Sequence, residues 1–79
     1  MKIEVKLYAS LARYAPDGAS GKPFFLEPPE GTTVRDLLIR LGVPENSVKI
    51  IFLNGVHASL DRILSDGDQL GVFPPVAGG

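Results

Sequence analysis

The chain has 79 residues, a net charge of −1 at neutral pH, 44% hydrophobic and 22% charged residues, and no cysteine. That length bounds it to one domain, and one this small buries only about 60% of its unfolded surface. The composition excludes disulfides, thiol chemistry and Cys-based metal sites, and the absence of basic excess argues against nucleic-acid binding.

Residues 2–7 alternate charge and apolarity: Lys2, Glu4 and Lys6 against Ile3, Val5 and Leu7. Period-two patterning predicts a strand with one buried face, not a signal peptide. Ala9 to Tyr14 fits a short helical turn with Leu11 inward. Asp17-Gly18-Ala19-Ser20-Gly21 is expected to be a loop. Gly18 and Gly21 make no phosphate loop, since no Gly-Lys-Ser/Thr follows. Phe24-Phe25-Leu26 is expected to pair antiparallel with the first strand, and Pro28-Pro29-Glu30-Gly31 ends it.

One helix stands out. Thr33 is a suitable N-cap with Asp36 three residues on, close to a capping box. Val34, Leu37, Leu38 and Leu41 line one face. Gly42 supplies a left-handed stop, Val43 can contact the last turn, and Pro44 blocks continuation.

Val48-Lys49-Ile50-Ile51-Phe52-Leu53 is apolar on nearly both faces and predicts a central strand. Asn54-Gly55 predicts a type I′ hairpin turn, with Val56-His57-Ala58 returning. Leu60, Ile63 and Leu64 are expected to cap the core. Ser65-Asp66-Gly67-Asp68 predicts a turn, and Gln69 to Phe73 the last strand.

The order β-β-α-β-β-β predicts an α+β fold of the β-grasp, ubiquitin-like plan. A mixed sheet of four to five strands carries one main helix across it. The first and last strands should lie side by side in the middle of the sheet. Residues 1–73 then form the domain and 74–79 an extended tail, Pro74-Pro75-Val76-Ala77-Gly78-Gly79. The tail ends in a Gly-Gly whose terminal carboxylate would be open to reaction. No apolar run approaches the roughly 18 residues of a membrane span. The default expectation is a cytoplasmic protein.

Ser65-Asp66-Gly67-Asp68, then a strand, then Phe73-Pro74-Pro75-Val76-Ala77-Gly78-Gly79 resembles the carboxyl end of the MoaD/ThiS-type ubiquitin-like sulfur carriers. Within them it is most similar to the small subunit of molybdopterin synthase. The Thr33-Val34-Arg35-Asp36-Leu37-Leu38 helix and the Leu53-Asn54-Gly55 hairpin sit where that family has them. The hairpin, with Val56, leans toward the thiamine-type carriers. Gly71, inside the last strand, departs from the expected packing and suggests a bulge or a close approach.

The resemblance implies a carrier, not an enzyme. A ubiquitin-activating-like adenylating enzyme would use ATP to convert the Gly79 carboxylate to an acyl-adenylate, and no cofactor would be bound by the chain itself. A sulfurtransferase or persulfide would then leave a thiocarboxylate on Gly79. The large subunit of molybdopterin synthase would be the partner that uses it. Other sulfur-transfer pathways, such as thiamine, tungsten-cofactor or sulfur amino acid synthesis, stay open, as does modification of protein lysines.

The tail residues suit that role. Gly79 has no Cβ to block its carbonyl, and Gly78 takes φ values closed to other residues. Ala77 and Val76 continue a narrowing path, and Pro74 and Pro75 stiffen it. Six extended residues reach roughly 20 Å. If Leu70 and Val72 face the helix, Phe73 lies on the open sheet face as a partner anchor; the other reading places it in the core. Ile51 or Leu53 would extend that patch if they face it, and the sequence leaves the face of each open. His57, the single histidine, lacks the partners of a metal or general-base site. Asp66 and Asp68 read as turn formers. Arg35, Arg40, Lys2, Lys6, Lys22 and Lys49 read as solvated charges.

Overall fold

Strand β1 (Ile3–Leu7) buries Ile3, Val5 and Leu7 while Glu4 and Lys6 turn to the other face. It pairs antiparallel with β2 (Phe24–Leu26), with Glu4 opposite Phe25. The computed structural model describes residues 1–16, 19 and 21–75. Between β1 and β2 a 3₁₀ segment spans Ala9–Tyr14 and buries Leu11. Of the expected loop after it, Asp17, Gly18 and Ser20 lie outside the described residues.

Helix α1 (Val34–Leu41) has the full capping box. The Asp36 N–H donates to the Thr33 hydroxyl at 3.1 Å, and the Thr33 N–H donates to the Asp36 carboxylate at 3.1 Å. Two further free donors of the first turn are taken by the chain that crosses it, as such donors require. Val34 N–H donates to Arg62 O at 3.0 Å and Arg35 N–H to Leu60 O at 2.9 Å. At the far end Gly42 takes φ 83°, and the Val43 N–H closes on Leu38 O at 2.9 Å. Val34, Leu37, Leu38 and Val43 are buried, and Leu41 is half-buried.

After a short 3₁₀ turn at Glu45–Ser47, β3 (Ile50–Leu53) and β4 (Val56–His57) form the hairpin. Asn54 and Gly55 take φ of 54° and 80°, the paired positive values of a type I′ turn. β5 (Gln69–Phe73) follows a turn in which the Asp68 N–H donates to Ser65 O at 3.1 Å. Asp66 and Asp68 are turn formers here. Asp66 accepts from the Lys2 N–H at 2.7 Å, and Asp68 from the Ser65 N–H and the Asn54 amide at 2.7 and 2.9 Å.

The five strands run in the order β2-β1-β5-β3-β4. β5 occupies the centre, parallel to β1 and antiparallel to β3. This is the β-grasp plan, with α1 across one face. Ile3, Val5, Leu7, Ile51, Leu53, Leu70 and Val72 meet Val34, Leu37 and Leu38 in one buried cluster. Each such fully buried side chain contributes about 1.5–3 kcal/mol. Among the described residues no helix is long and apolar enough to cross a membrane.

Several expectations need correction. β3 starts at Ile50, not Val48, and its burial alternates. Its apolar run serves two environments: Ile51 and Leu53 face the helix, while Ile50 and Phe52 remain 36% and 37% exposed. Ile51 and Leu53 therefore do not extend the open-face patch. Ile63 is also outside the core, 59% exposed, because it pairs through its backbone with Thr33 and only its neighbour Leu64 turns inward. Ala58 lies beyond β4. Finally, Arg35 is not simply solvated: its guanidinium donates to Glu45 at 2.9 Å and to Asp61.

Candidate docking face and tail root

Because β1 and β5 are parallel, with Leu7 beside Val72, both strands end at the same edge of the sheet. Tyr8 leaves β1 there and Phe73 closes β5. Tyr8 N–H donates to Val72 O at 3.0 Å, and Lys49 N–H donates to Phe73 O at 2.8 Å. The last residues of β5 are thus held from both sides. Pro74 is half-buried and Pro75 exposed. Val76, Ala77, Gly78 and Gly79 lie outside the described residues. The tail is therefore described structurally at its root, Phe73-Pro74-Pro75.

The register lays out the face opposite α1 in rows. Phe25, Glu4 and Gln69 form one; Lys6, Gly71, Phe52 and His57 the next; Phe73 and Ile50 the third. Leu70 and Val72 do face the helix, so Phe73 lies on the open face, half-buried by its neighbours. Its ring stacks on Tyr8 with centroids 4.0 Å apart and planes 12° from parallel. Phe52 meets Phe73 edge-on at 5.8 Å, and His57 meets Phe52 edge-on at 6.1 Å. Such edge-to-face pairs follow the ring quadrupole. Together Tyr8, Phe52, Gly71 and Phe73, with Lys6 and Gln69, line a shallow hollow of about 360 Å³.

Charge on this face is sparse and leans basic. Lys6 places Nζ 4.8 Å from the Tyr8 ring centroid, and Lys2 places Nζ 4.6 Å from that of Phe25. Both follow cation–π geometry. Glu4 is the one acidic residue in the rows. The guanidinium of Arg35 sits across the molecule beside α1. Its Asp61 and Glu45 hydrogen bonds hold its proton more tightly than usual. Asp36 is held below the usual aspartate range by the backbone and then the hydroxyl hydrogen bond of Thr33. Among the described residues no group of three ligating side chains gathers into a metal site. The His57 ring is occupied with Phe52. An apolar, weakly basic face beside a pinned tail root has the chemistry of a protein-docking surface.

Phe73 is where the sequence placed it, but Tyr8 and Phe52 were not foreseen as its companions. The signal for Tyr8 was available: it continues the Lys2, Glu4, Lys6 parity of β1. The signal for Phe52 was masked by the apolar run of β3.

The fold is shared with known proteins. A family model described as the ThiS family matches residues 5–79. Small archaeal modifier protein 1 (SAMP1) from Haloferax volcanii superposes with a TM-score of 0.74 at 28% identity, covering 100% of both chains. A Pyrococcus furiosus protein assigned as molybdopterin converting factor subunit 1 superposes at 0.71 with 33% identity, over 95% of this chain and 98% of that one. Urm1 from Trypanosoma brucei, at 19% identity over 99% of this chain and 95% of its own, shares the fold with a TM-score of 0.71. No curated protein sequence matches. With a β-grasp domain and a family match over nearly its whole length, the chain belongs to the ThiS family of ubiquitin-like proteins.

Proposed function

We propose that this protein is a sulfur carrier for molybdopterin biosynthesis, with the Gly79 carboxylate as its reactive group. The observation that carries the reading is the pinned root at Phe73, beside an aromatic docking face and leading into Pro74-Pro75. The 33% identity to a protein assigned as molybdopterin converting factor subunit 1 supports this pathway.

A carboxylate is a poor acyl donor until its oxygen leaves easily. In the proposed cycle an adenylating partner of the ubiquitin-activating type joins the Gly79 carboxylate to the α-phosphate of ATP, releasing pyrophosphate. A sulfur donor at the oxidation level of sulfide then attacks the carbonyl carbon and AMP departs. The acyl group keeps one oxygen and gains one sulfur. The large subunit of molybdopterin synthase would take the tail next. The carrier's own residues position and present: Phe73, Tyr8 and Phe52 grip the partner, and residues 74–79 span the distance to its site. ATP is consumed by the partner and no cofactor resides on this chain. Incubation with the adenylating enzyme encoded in the same genome, ATP and sulfide should replace one oxygen by sulfur in the intact mass. An unchanged mass would sink the reading.

A second reading, modification of protein lysines through Gly79, is favoured by the 28% identity to small archaeal modifier protein 1. It predicts isopeptide-linked adducts of higher mass in cells, which a carrier alone does not form.

A further inference from the structure

Gly71 stands in the middle of the central strand, with Lys6 on one side and Phe52 on the other. A glycine there weakens a strand, having no side chain to pack. Its backbone does not require glycine. Gly31, Gly42, Gly55 and Gly67 all take positive φ, and Gly71 does not. Nor is there a bulge: the ladder passes through Gly71 on both sides with each residue matched to one partner.

What uses the missing side chain is the space above the open face. A Cβ at this position would lie 3.4 Å from Cε2 of Tyr8, 3.7 Å from Cε1 of Phe73 and 4.0 Å from the Phe52 carbonyl oxygen. Alanine would fit in ordinary contact. A valine carries carbons about 1.5 Å beyond Cβ, into the space the two rings share.

We infer that Gly71 is a positioning residue: its bare backbone seats Tyr8 face-on against Phe73, so that the pair forms one fixed apolar plate at the tail root. Tyr8 follows Leu7, the register partner of Val72, so it falls beside Phe73, and the edges of both rings lie over Gly71. Lys6, itself opposite Gly71, places its Nζ 4.8 Å from the Tyr8 ring centroid. The plate gives a docking protein a single orientation from which Pro74 leads toward its reaction site. The activity half of this inference rests on the sulfur-carrier reading.

Wild type, Gly71→Ala, Gly71→Val and Tyr8→Ala test it in two measurements. The first is proton NMR of the free proteins. Ring-current shifts of the Tyr8 ring protons should be present in wild type and Gly71→Ala and lost in Gly71→Val. The second is the adenylation rate at varied carrier concentration. Gly71→Val and Tyr8→Ala should each raise KM about tenfold or more with kcat within about twofold, the signature of lost docking. The unfolding midpoint of Gly71→Val should change little, since the strand preference of valine offsets the lost ring stack. Retention of the ring-current shifts in Gly71→Val would overturn the seating. An unchanged KM in Tyr8→Ala would overturn the docking plate. Failure of the wild type to be adenylated would remove the sulfur-carrier reading and the tail-delivery role with it, while the NMR comparison would still decide the seating.

Discussion

Tyr8 and Phe73 lie 65 residues apart in sequence, yet their rings stack at 4.0 Å with planes 12° apart. The stack exists because β1 and β5 are parallel neighbours that end at the same edge. It joins the end of the first strand to the root of the tail. Long-range aromatic pairs of this kind contribute about 0.5–1.5 kcal/mol beyond their buried area.

Phe73→Ala should therefore cost two different amounts in two assays. Folding should lose about 1–2 kcal/mol, because the ring is half-buried and loses two aromatic partners. Docking should lose at least about 2 kcal/mol, or roughly thirtyfold in KM, if Phe73 is the central anchor. Chemical denaturation and adenylation kinetics on one preparation separate the two.

Phe52→Ala should weaken docking by less and leave the helix-side core intact, because Phe52 lies on the face opposite α1. By contrast, Leu37→Ala removes a fully buried side chain from that core. It should cost about 2–5 kcal/mol, a large share of the stability of a domain this small. Thermal unfolding should show a sharp fall for Leu37→Ala and a slight one for Phe52→Ala.

Much of this was legible in the sequence, and the reasons are local. Thr33, Asp36, Gly42 and Pro44 bracket α1 by capping chemistry that needs no tertiary context. Asn54-Gly55 dictates its own turn. The alternation in β1 gave its buried face. What was hidden depended on the partner surface. Ile50 and Phe52 look like core residues in a run where Ile51 and Leu53 are core. Only the register with β5 separates them. Arg35 meets Asp61 across 26 residues of sequence, a pairing that no periodicity announces.

The capping box should make stability depend on pH in a defined direction. The Thr33 hydrogen bonds hold the Asp36 proton affinity below the ordinary aspartate value, so the folded state binds that proton less tightly than the unfolded chain. The box thus stabilises fully above the unfolded value and is lost as pH falls through the folded one. Asp36→Asn should destabilise at neutral pH, and the difference from wild type should shrink in strong acid. Thr33→Ala should cost about 1 kcal/mol at neutral pH. Denaturant midpoints across the pH range check both.

The two contacts of Arg35, to Glu45 and Asp61, tie α1 to two segments that follow it in sequence. All three side chains are solvent-accessible, so salt should screen the link. Arg35→Met should lower the unfolding midpoint at low ionic strength, and the gap from wild type should narrow as salt is raised.

Deleting Gly79 should abolish adenylation while leaving the unfolding midpoint unchanged, since the described core is complete without the tail. Loss of folding on that deletion would make the tail structural.

The central claim, that Gly79 carries sulfur, is tested most directly by the mass of the C-terminal peptide from protein isolated under non-reducing conditions from its native cell. The account predicts a population in which one carboxylate oxygen is replaced by sulfur. A terminus found only as carboxylate, with the adenylating enzyme active in the same cells, would contradict it.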